Sequence, residues 1–280
     1  MQKILITGSN GFLGSYLKRT LDSLKLVSYN RFDKTDFDPQ LIKGIIHCAG
    51  LAHNSHNPSL YEKYYKANFL FTKEIASLIP KENLNFFIFI STAKVTEWEF
   101  TSDLGLNKSN ASIYVQTKKI AENYLLENLS HTKVFILRPS VIIGPKAKGN
   151  IGFLEKLIKC KIPILIPKTT SRNTLTDIRN LKTVIEHLCL NHQKLETGIY
   201  NIVDDKKLYL DELLIKLARS RGLKIFLIKI PTKLYKFMLE ISSLINPEIS
   251  GKLKSVFFNQ FEVSDNSIKK IIKLKHNSFE

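Results

Sequence analysis

Lys3-Ile4-Leu5-Ile6-Thr7-Gly8-Ser9-Asn10-Gly11-Phe12-Leu13-Gly14 is the stretch that settles the architecture. A short apolar run ends in a glycine-rich turn, and from Phe12 to Leu24 the apolar residues Leu13, Leu17, Leu21 and Leu24 recur at helical spacing. A buried strand, a tight turn and a helix therefore follow one another. In that setting Gly8 permits the turn, Gly11 lets backbone approach a pyrophosphate, and Gly14 lets helix and strand pack closely. The helix N-terminus presents free N–H groups and a positive dipole to an anion. The spacing is GxxGxxG, not the standard GxGxxG, and three glycines in a loop often have only structural reasons. Placement between the first strand and the first helix favours the phosphate-binding reading.

Outward from this turn, strand-like and helix-like patterns alternate. Leu26–Tyr29, Gly44–Cys48, Phe86–Ile90 and Val134–Leu137 read as strands, with helices over about 58–79 and 115–129. Near-continuous apolar strands alternating with helices predict an α/β fold, a Rossmann-like doubly wound parallel sheet. Ligands in such sheets sit at the carboxyl ends of the strands, where the glycines, His47, Ser91, Thr92 and Arg138-Pro139 fall. Residues 1–145 are expected to form the dinucleotide-binding domain, and 146–280 a smaller, mainly substrate-binding region whose segments near 171–190 pack back on the first. Pro163, Pro167 and the polar stretch Lys168–Asn173 suggest loops; Ile178–Leu190 and Asp211–Ser220 suggest helices.

The chain has 280 residues, 44% of them apolar and 24% charged, which suits a globular protein with a sizeable core. Cys48, Cys160 and Cys189 form no CxxC pair and no Cys/His cluster, so no metal site and a reducing compartment are expected. No signal peptide and no membrane-spanning run is evident, and a cytoplasmic location is expected. Leu234–Ile245 reads as an amphipathic helix packed inside the protein. The net charge of +17 is spread along the chain without an arginine-rich stripe or ribonucleoprotein motif, so a nucleic-acid partner is not expected. A cofactor and substrate that both carry phosphates suit the charge; weak attraction to anionic lipid is also compatible with it.

Two further features bear on chemistry. Arg31 closes the second strand, where an arginine accommodates the extra phosphate of NADP, although Asp33 lies close by. NADP is therefore the expected cofactor, with NAD the alternative. Tyr114-Val115-Gln116-Thr117-Lys118 places a lysine four residues after a tyrosine, on one face of a helix. A nearby ammonium favours the phenolate and would equip Tyr114 to exchange a proton with an alcohol or carbonyl.

Glycine turn, Ser91-Thr92 and Tyr-x-x-x-Lys in this order resemble the extended short-chain dehydrogenase/reductase family, and within it the nucleotide-sugar epimerase, dehydratase and reductase branch. The likeness includes His47-Cys48-Ala49-Gly50, Asn68, Phe89–Val95, Leu137-Arg138-Pro139, Ile143-Gly144-Pro145, Arg172-Asn173, Asn180-Leu181 and Phe261–Lys269. The resemblance implies Thr92, Tyr114 and Lys118 as catalytic residues, with Lys118 also holding the nicotinamide ribose. It implies cofactor contacts at Gly8, Asn10, Gly11, Phe12, Leu13, Gly14, Arg31, Ala49, Gly50 and Pro139, and substrate contacts at Ser91, Thr92, Asn150 and Arg172. The resemblance also points to a homodimer through the segments near 58–79 and 115–129.

Dehydratases of the branch carry an Asp-Glu pair after the hydroxyl residue. Here Ala93-Lys94 stands there, so dehydration is not expected. The short stretch from Arg31 to Ile45 leaves little room for the usual third strand. The segment Ser91–Glu97, with Lys94-Val95, resembles UDP-sugar 4-reductases and 4-epimerases of bacterial surface polysaccharide synthesis, and that resemblance implies NAD(P)-dependent reduction of the C4 keto group of a UDP-linked deoxy-aminosugar. The alternatives are a UDP-sugar 4-epimerase with tightly bound NAD, and a non-catalytic dinucleotide sensor.

Overall fold

Apolar runs without polar alternation form the centre of a six-stranded sheet in the computed structural model, which describes residues 3–30, 37–52, 58–103, 112–147, 149–169, 172–258, 267–276 and 279. The chain divides into two units, the first comprising Met1–Ser140, Ile178–Val203 and Asp265–Lys275. Its strands are β1 (Lys3–Thr7), β2 (Lys25–Tyr29), β3 (Ile42–His47), β4 (Phe86–Ile90), β5 (Lys133–Pro139) and β10 (Gly198–Ile202). All pair in parallel, in the order β10-β5-β4-β3-β1-β2. The α/β, doubly wound expectation holds. Among the described residues no strand lies beyond β2. The chain leaving β2 returns on the other side of β1, with one 3-10 turn, Pro39–Leu41, leading into β3.

Helices of this unit are α1 (Phe12–Thr20), α2 (Tyr61–Tyr64), α3 (Phe71–Ser77), α4 (Ala93–Asp103), α5 (Ile113–Asn128) and α7 (Ile178–Asn191). On one face of the sheet Leu5, Ile45, Phe87, Phe89, Val134 and Ile136 pack with Ile75 of α3 and with Ala121 and Leu125 of α5. Fully buried β4 explains its unbroken Phe/Ile sequence, since both faces are covered.

Three local readings are corrected or refined. Helix α1 stops at Thr20, not Leu24, because Asp22-Ser23 favours a turn, closed by Leu24 N–H on the Leu21 carbonyl at 3.1 Å. The helix read over 58–79 is helical without a break over Tyr61–Ser77, after a 3-10 turn at Pro58–Leu60, but it carries a π-helical turn at Tyr65–Leu70 between α2 and α3, with Asn68 buried in it. Strand β10 went unread because Asn201 and Gly198 dilute its apolar character; among the described residues it sits at the sheet edge, paired to β5.

The second unit comprises Val141–Asp177, Asp204–Ser264 and His276–Glu280. It contains β6 (Val141–Ile143), α6 (Gly149–Lys159), β7 (Ile164–Pro167), β8 (Arg172–Asn173), β9 (Leu175–Asp177), β11 (Leu208–Tyr209), α8 (Leu210–Arg219), β12 (Leu227–Ile230), α9 (Thr232–Ile245) and α10 (Pro247–Phe258). The strands form three two-stranded pairs: β6 with β9, β7 with β12, and β8 with β11. The expected loop around Pro163 and Pro167 is thus partly a strand; Pro163 precedes β7 and Pro167 ends it, positions where a missing N–H is tolerated. Helix α9 forms as read, but only Tyr235 and Leu239 of it are buried. No helix among the described residues is long and apolar enough to cross a membrane.

The central aromatic layer sets an expected outcome. Phe87→Ala removes a fully buried ring from β4 and should lower unfolding free energy by about 3–5 kcal/mol. Urea unfolding followed by circular dichroism measures this, and a loss below about 1 kcal/mol would contradict the packing described.

Candidate active site

Where the chain leaves β1 for one side of the sheet and β3 lies on the other, the strand order reverses and opens a crevice at the carboxyl ends. The glycine turn lines it from β1. Gly8 takes φ +68°, and Gly11 N–H closes the turn on the Gly8 carbonyl at 2.8 Å. A Cβ at residue 14 would come within 2.2 Å of the Gly8 carbonyl oxygen, so only glycine lets α1 start this close to the strand end. No side chain caps α1 and no acid stands in its first turn, which leaves the helix start suited to an anion. Asn10 and Gly11 are exposed, Phe12 is half-buried and Leu13 is buried. These features fit the diphosphate of a dinucleotide.

From β3 comes Cys48-Ala49-Gly50. Cys48 N–H donates to the Thr7 carbonyl and Ala49 N–H to Thr7 Oγ1, both at 3.3 Å. His47 is buried between two threonines: Nδ1 lies 2.7 Å from Thr7 Oγ1 and Nε2 lies 3.0 Å from Thr72 Oγ1. Thr72 donates to the Asn68 carbonyl at 2.6 Å. Burial, and then Lys118, hold the imidazole well below its usual pKa. The neutral ring accepts at Nδ1 and donates at Nε2. Asn68 Nδ2 continues the chain to the Leu51 carbonyl at 3.1 Å and Thr117 Oγ1 at 3.0 Å, while Leu51 N–H donates to Asn68 Oδ1 at 2.7 Å.

Helix α5 delivers the tyrosine and lysine. Ser112 caps it by accepting from Val115 N–H. Tyr114 is half-buried and shares a hydrogen bond with the Thr92 hydroxyl at the end of β4. Lys118 is buried; its Nζ donates to the Ile90 carbonyl at 2.8 Å and lies 4.4 Å from the centroid of the Phe89 ring. A Cβ at residue 50 would sit 3.1 Å from Lys118 Nζ and 2.8 Å from Asn68 Oδ1, so Gly50 makes room for both.

The electrostatics correct one expectation. The Tyr114 phenol is not drawn down by the lysine. Burial pushes it up to about 12; the Thr92 bond opposes this, and Tyr64 and Glu122 add to it. Lys118 itself is pulled down to about 8 by burial, against the pull of Cys48 and Glu122. Burial likewise raises the Cys48 thiol to about 12.

Ser91 is a second revision. Its hydroxyl donates to Glu122 of α5, so its proton is engaged within the protein. Glu122 in turn accepts from Arg138 Nε at 3.0 Å and Nη2 at 2.5 Å. The same guanidinium reaches Glu99 of α4 at 2.5 and 3.1 Å and Thr96 Oγ1 at 3.0 Å. Glu99 also binds Lys119 at 2.6 Å. This cluster ties α4, α5 and the ends of β4 and β5 together. Sequence reasoning did not find it, though two signals were present: an arginine inside an otherwise apolar strand, and a glutamate one helical turn after Lys118.

The first unit thus gathers the glycine turn, Ala49, Gly50, Ser91, Thr92, Tyr114 and Lys118, with Pro139 buried at the end of β5. Asn150 and Arg172 belong to the second unit, where both are exposed. The Arg172 guanidinium rests 5.0 Å from the Tyr209 ring and donates to its hydroxyl at 3.1 Å. Arg31, Asp33 and residues 261–266 lie outside the described residues.

Residues 4–202 match the model of the NAD dependent epimerase/dehydratase family. A UDP-glucose 4-epimerase of Vibrio cholerae is 27% identical over 273 residues, covering 84% of this chain and 80% of its own. In fold the chain is similar to dTDP-4-dehydrorhamnose reductase from Bacillus anthracis in complex with NADP (TM-score 0.66, 21% identity, 84% of this chain and 86% of that one). It is equally similar to UDP-glucuronic acid 4-epimerase from Bacillus cereus in complex with NAD (TM-score 0.66, 19% identity, 82% and 88%).

The buried lysine has a pH consequence. Its folded pKa of about 8 lies below the ordinary lysine value, so between these two values the unfolded chain binds more protons and stability rises with pH. Relative to Lys118→Met, the cofactor-free wild type should gain stability as pH rises from about 8 to 10. Paired urea titrations across that range measure it, and a constant difference would show that the amine is not depressed.

Proposed function

This chain belongs to the NAD dependent epimerase/dehydratase family, and we propose that it reduces the C4 keto group of a UDP-linked deoxy-aminosugar with NADPH or NADH. The observation that carries this reading is the Thr92–Tyr114 hydroxyl pair beside a buried Lys118, at the carboxyl end of β4, one strand (β3) away from β1 and its glycine turn. The N-terminus of α1, with Gly8, Gly11 and Gly14, would hold the diphosphate of the dinucleotide, and Lys118 beside Gly50 its nicotinamide ribose. When bound, the nicotinamide supplies the hydride. Tyr114 supplies the proton: a phenol held protonated to about 12 is in the donor form at neutral pH, as reduction of a carbonyl requires. Thr92 orients that phenol and polarises the same oxygen. Ser91, its proton given to Glu122, offers the substrate only lone pairs.

Asn150 and Arg172 are assigned to the nucleotide diphosphate of the sugar. Stacking on Tyr209 orders the Arg172 fork, which matches phosphate oxygens. Ala93 and Lys94 follow Thr92 where elimination of water would need an acid and a carboxylate. A second reading, 4-epimerisation with retained NAD, is favoured by the 27% identity to a protein named UDP-glucose 4-epimerase. The same residues would serve it.

Incubation with UDP-sugars and UDP-4-keto-sugars, following nicotinamide absorbance and product mass, separates the two. Reduction predicts stoichiometric NADPH or NADH consumption with a 4-keto substrate. Isomerisation without net consumption, from protein purified with NAD bound, would replace it with epimerisation. A strong preference for NADH would overturn the NADP expectation raised by Arg31. In either case Tyr114→Phe should reduce turnover by at least about 100-fold while dinucleotide binding persists; unchanged turnover would remove Tyr114 from the reaction.

A further inference from the structure

The second unit carries an apolar surface that the active site leaves unused. Helix α9, TKLYKFMLEISSLI, turns Tyr235 and Leu239 into its unit. A helix held by its protein needs one apolar stripe, and this one has two. Leu234, Phe237, Met238, Ile241, Leu244 and Ile245 recur at three- and four-residue spacing on the side away from Tyr235 and Leu239. All six are exposed, Phe237 by 58%, Leu244 by 85% and Ile245 by 84%.

The stripe runs through Met238 into an open groove of about 240 Å³ walled by Leu157, Ile162, Pro163, Leu165 and Phe257. Ile162 on its rim is 62% exposed. So is most of Phe226, whose carbonyl accepts the N–H of Ile164 in the groove wall. Contiguous apolar exposure on this scale marks a contact surface.

The charges around it select the occupant. Lys233 and Lys236 stand beside the stripe on α9, with Glu240 the acid on that helix; Lys254 lies on α10, and Lys159 and Lys161 fall within the three residues before Ile162. All five lysines are exposed. A second copy docking through this face would bring one lysine-fringed patch against another, which like-charge repulsion disfavours. An anionic bilayer answers both features, with acyl chains for the stripe and headgroups for the lysines. At 14 residues α9 is too short to span the hydrocarbon and suits an orientation in the plane of the interface.

We infer that the second unit docks on an anionic phospholipid surface through α9 and its adjoining groove. This goes beyond the proposed reaction and is independent of it, so failure of either leaves the other standing.

Co-sedimentation of the full chain with phosphatidylcholine vesicles, with and without about one-third phosphatidylglycerol, is the test. Wild type should bind the anionic vesicles, bind neutral ones several-fold more weakly, and lose affinity in high salt. Leu244→Glu combined with Ile245→Glu should weaken anionic binding at least about tenfold; both side chains point to solvent, and circular dichroism confirms folding. Leu41→Glu, a change at an exposed leucine of the first unit, should leave binding intact. No binding, or equal binding by the double variant, would overturn the inference. So would a wild-type dimer in sedimentation velocity that the double variant converts to monomer, since the stripe would then be covered by a second copy.

Discussion

A carboxylate with no access to water governs how the carboxyl end of the sheet is assembled. Glu122 is fully buried on α5 and keeps company with Arg138 of β5 and the hydroxyl of Ser91, the residue after β4. Removing one partner from such a buried pair typically costs about 3–5 kcal/mol, because the other is left charged and unsolvated. The two residues therefore fix α5 against β4 and β5 in one register. Tyr114 and Lys118 ride on the same helix, two turns and one turn before Glu122. Their position over the strand ends is set by this ionic contact together with their own bonds to Thr92 and the Ile90 carbonyl. Glu99 and Thr96 carry the constraint into α4, the helix that opens directly after Thr92.

A polar relay performs the matching task on the other side of the crevice. Thr7, His47, Thr72, Asn68 and Thr117 connect the end of β1 to α5 through the interior. Each donor finds one acceptor only if the imidazole is neutral, and burial enforces that state. The π-helical turn is where this relay enters the helix: Asn68 spends both ends of its side-chain amide on Leu51 and Thr117. Lys118 and the loop at Gly50 are thereby held together without a direct bond between them.

Strands were legible where local pattern decides, while their order in the sheet was not. Lys3–Thr7 and Phe86–Ile90 read as buried strands because nothing polar interrupts them, and the glycine turn announced itself by its position. Tyr114 and Lys118 were legible because four-residue spacing puts side chains on one helix face. Long-range pairing left less trace: Arg138 finds Glu122 and Glu99 across 16 and 39 residues. The state of the Tyr114 phenol was misread because spacing reports proximity along a helix and says nothing of desolvation, which outweighs it here. The exposure of α9 was missed for a related reason. Apolar periodicity tells which residues share a stripe, not whether anything in the chain covers it.

Burial also sorts the three cysteines. Cys48 is held protonated beneath the glycine turn, and Cys189 is buried with its thiol raised still further. Cys160 alone stands exposed, at the end of α6 and two residues before the groove residue Ile162. A thiol-directed dye would therefore report on the native protein from one address, with no engineered background required. Its emission colour would sense the polarity of whatever settles over that surface.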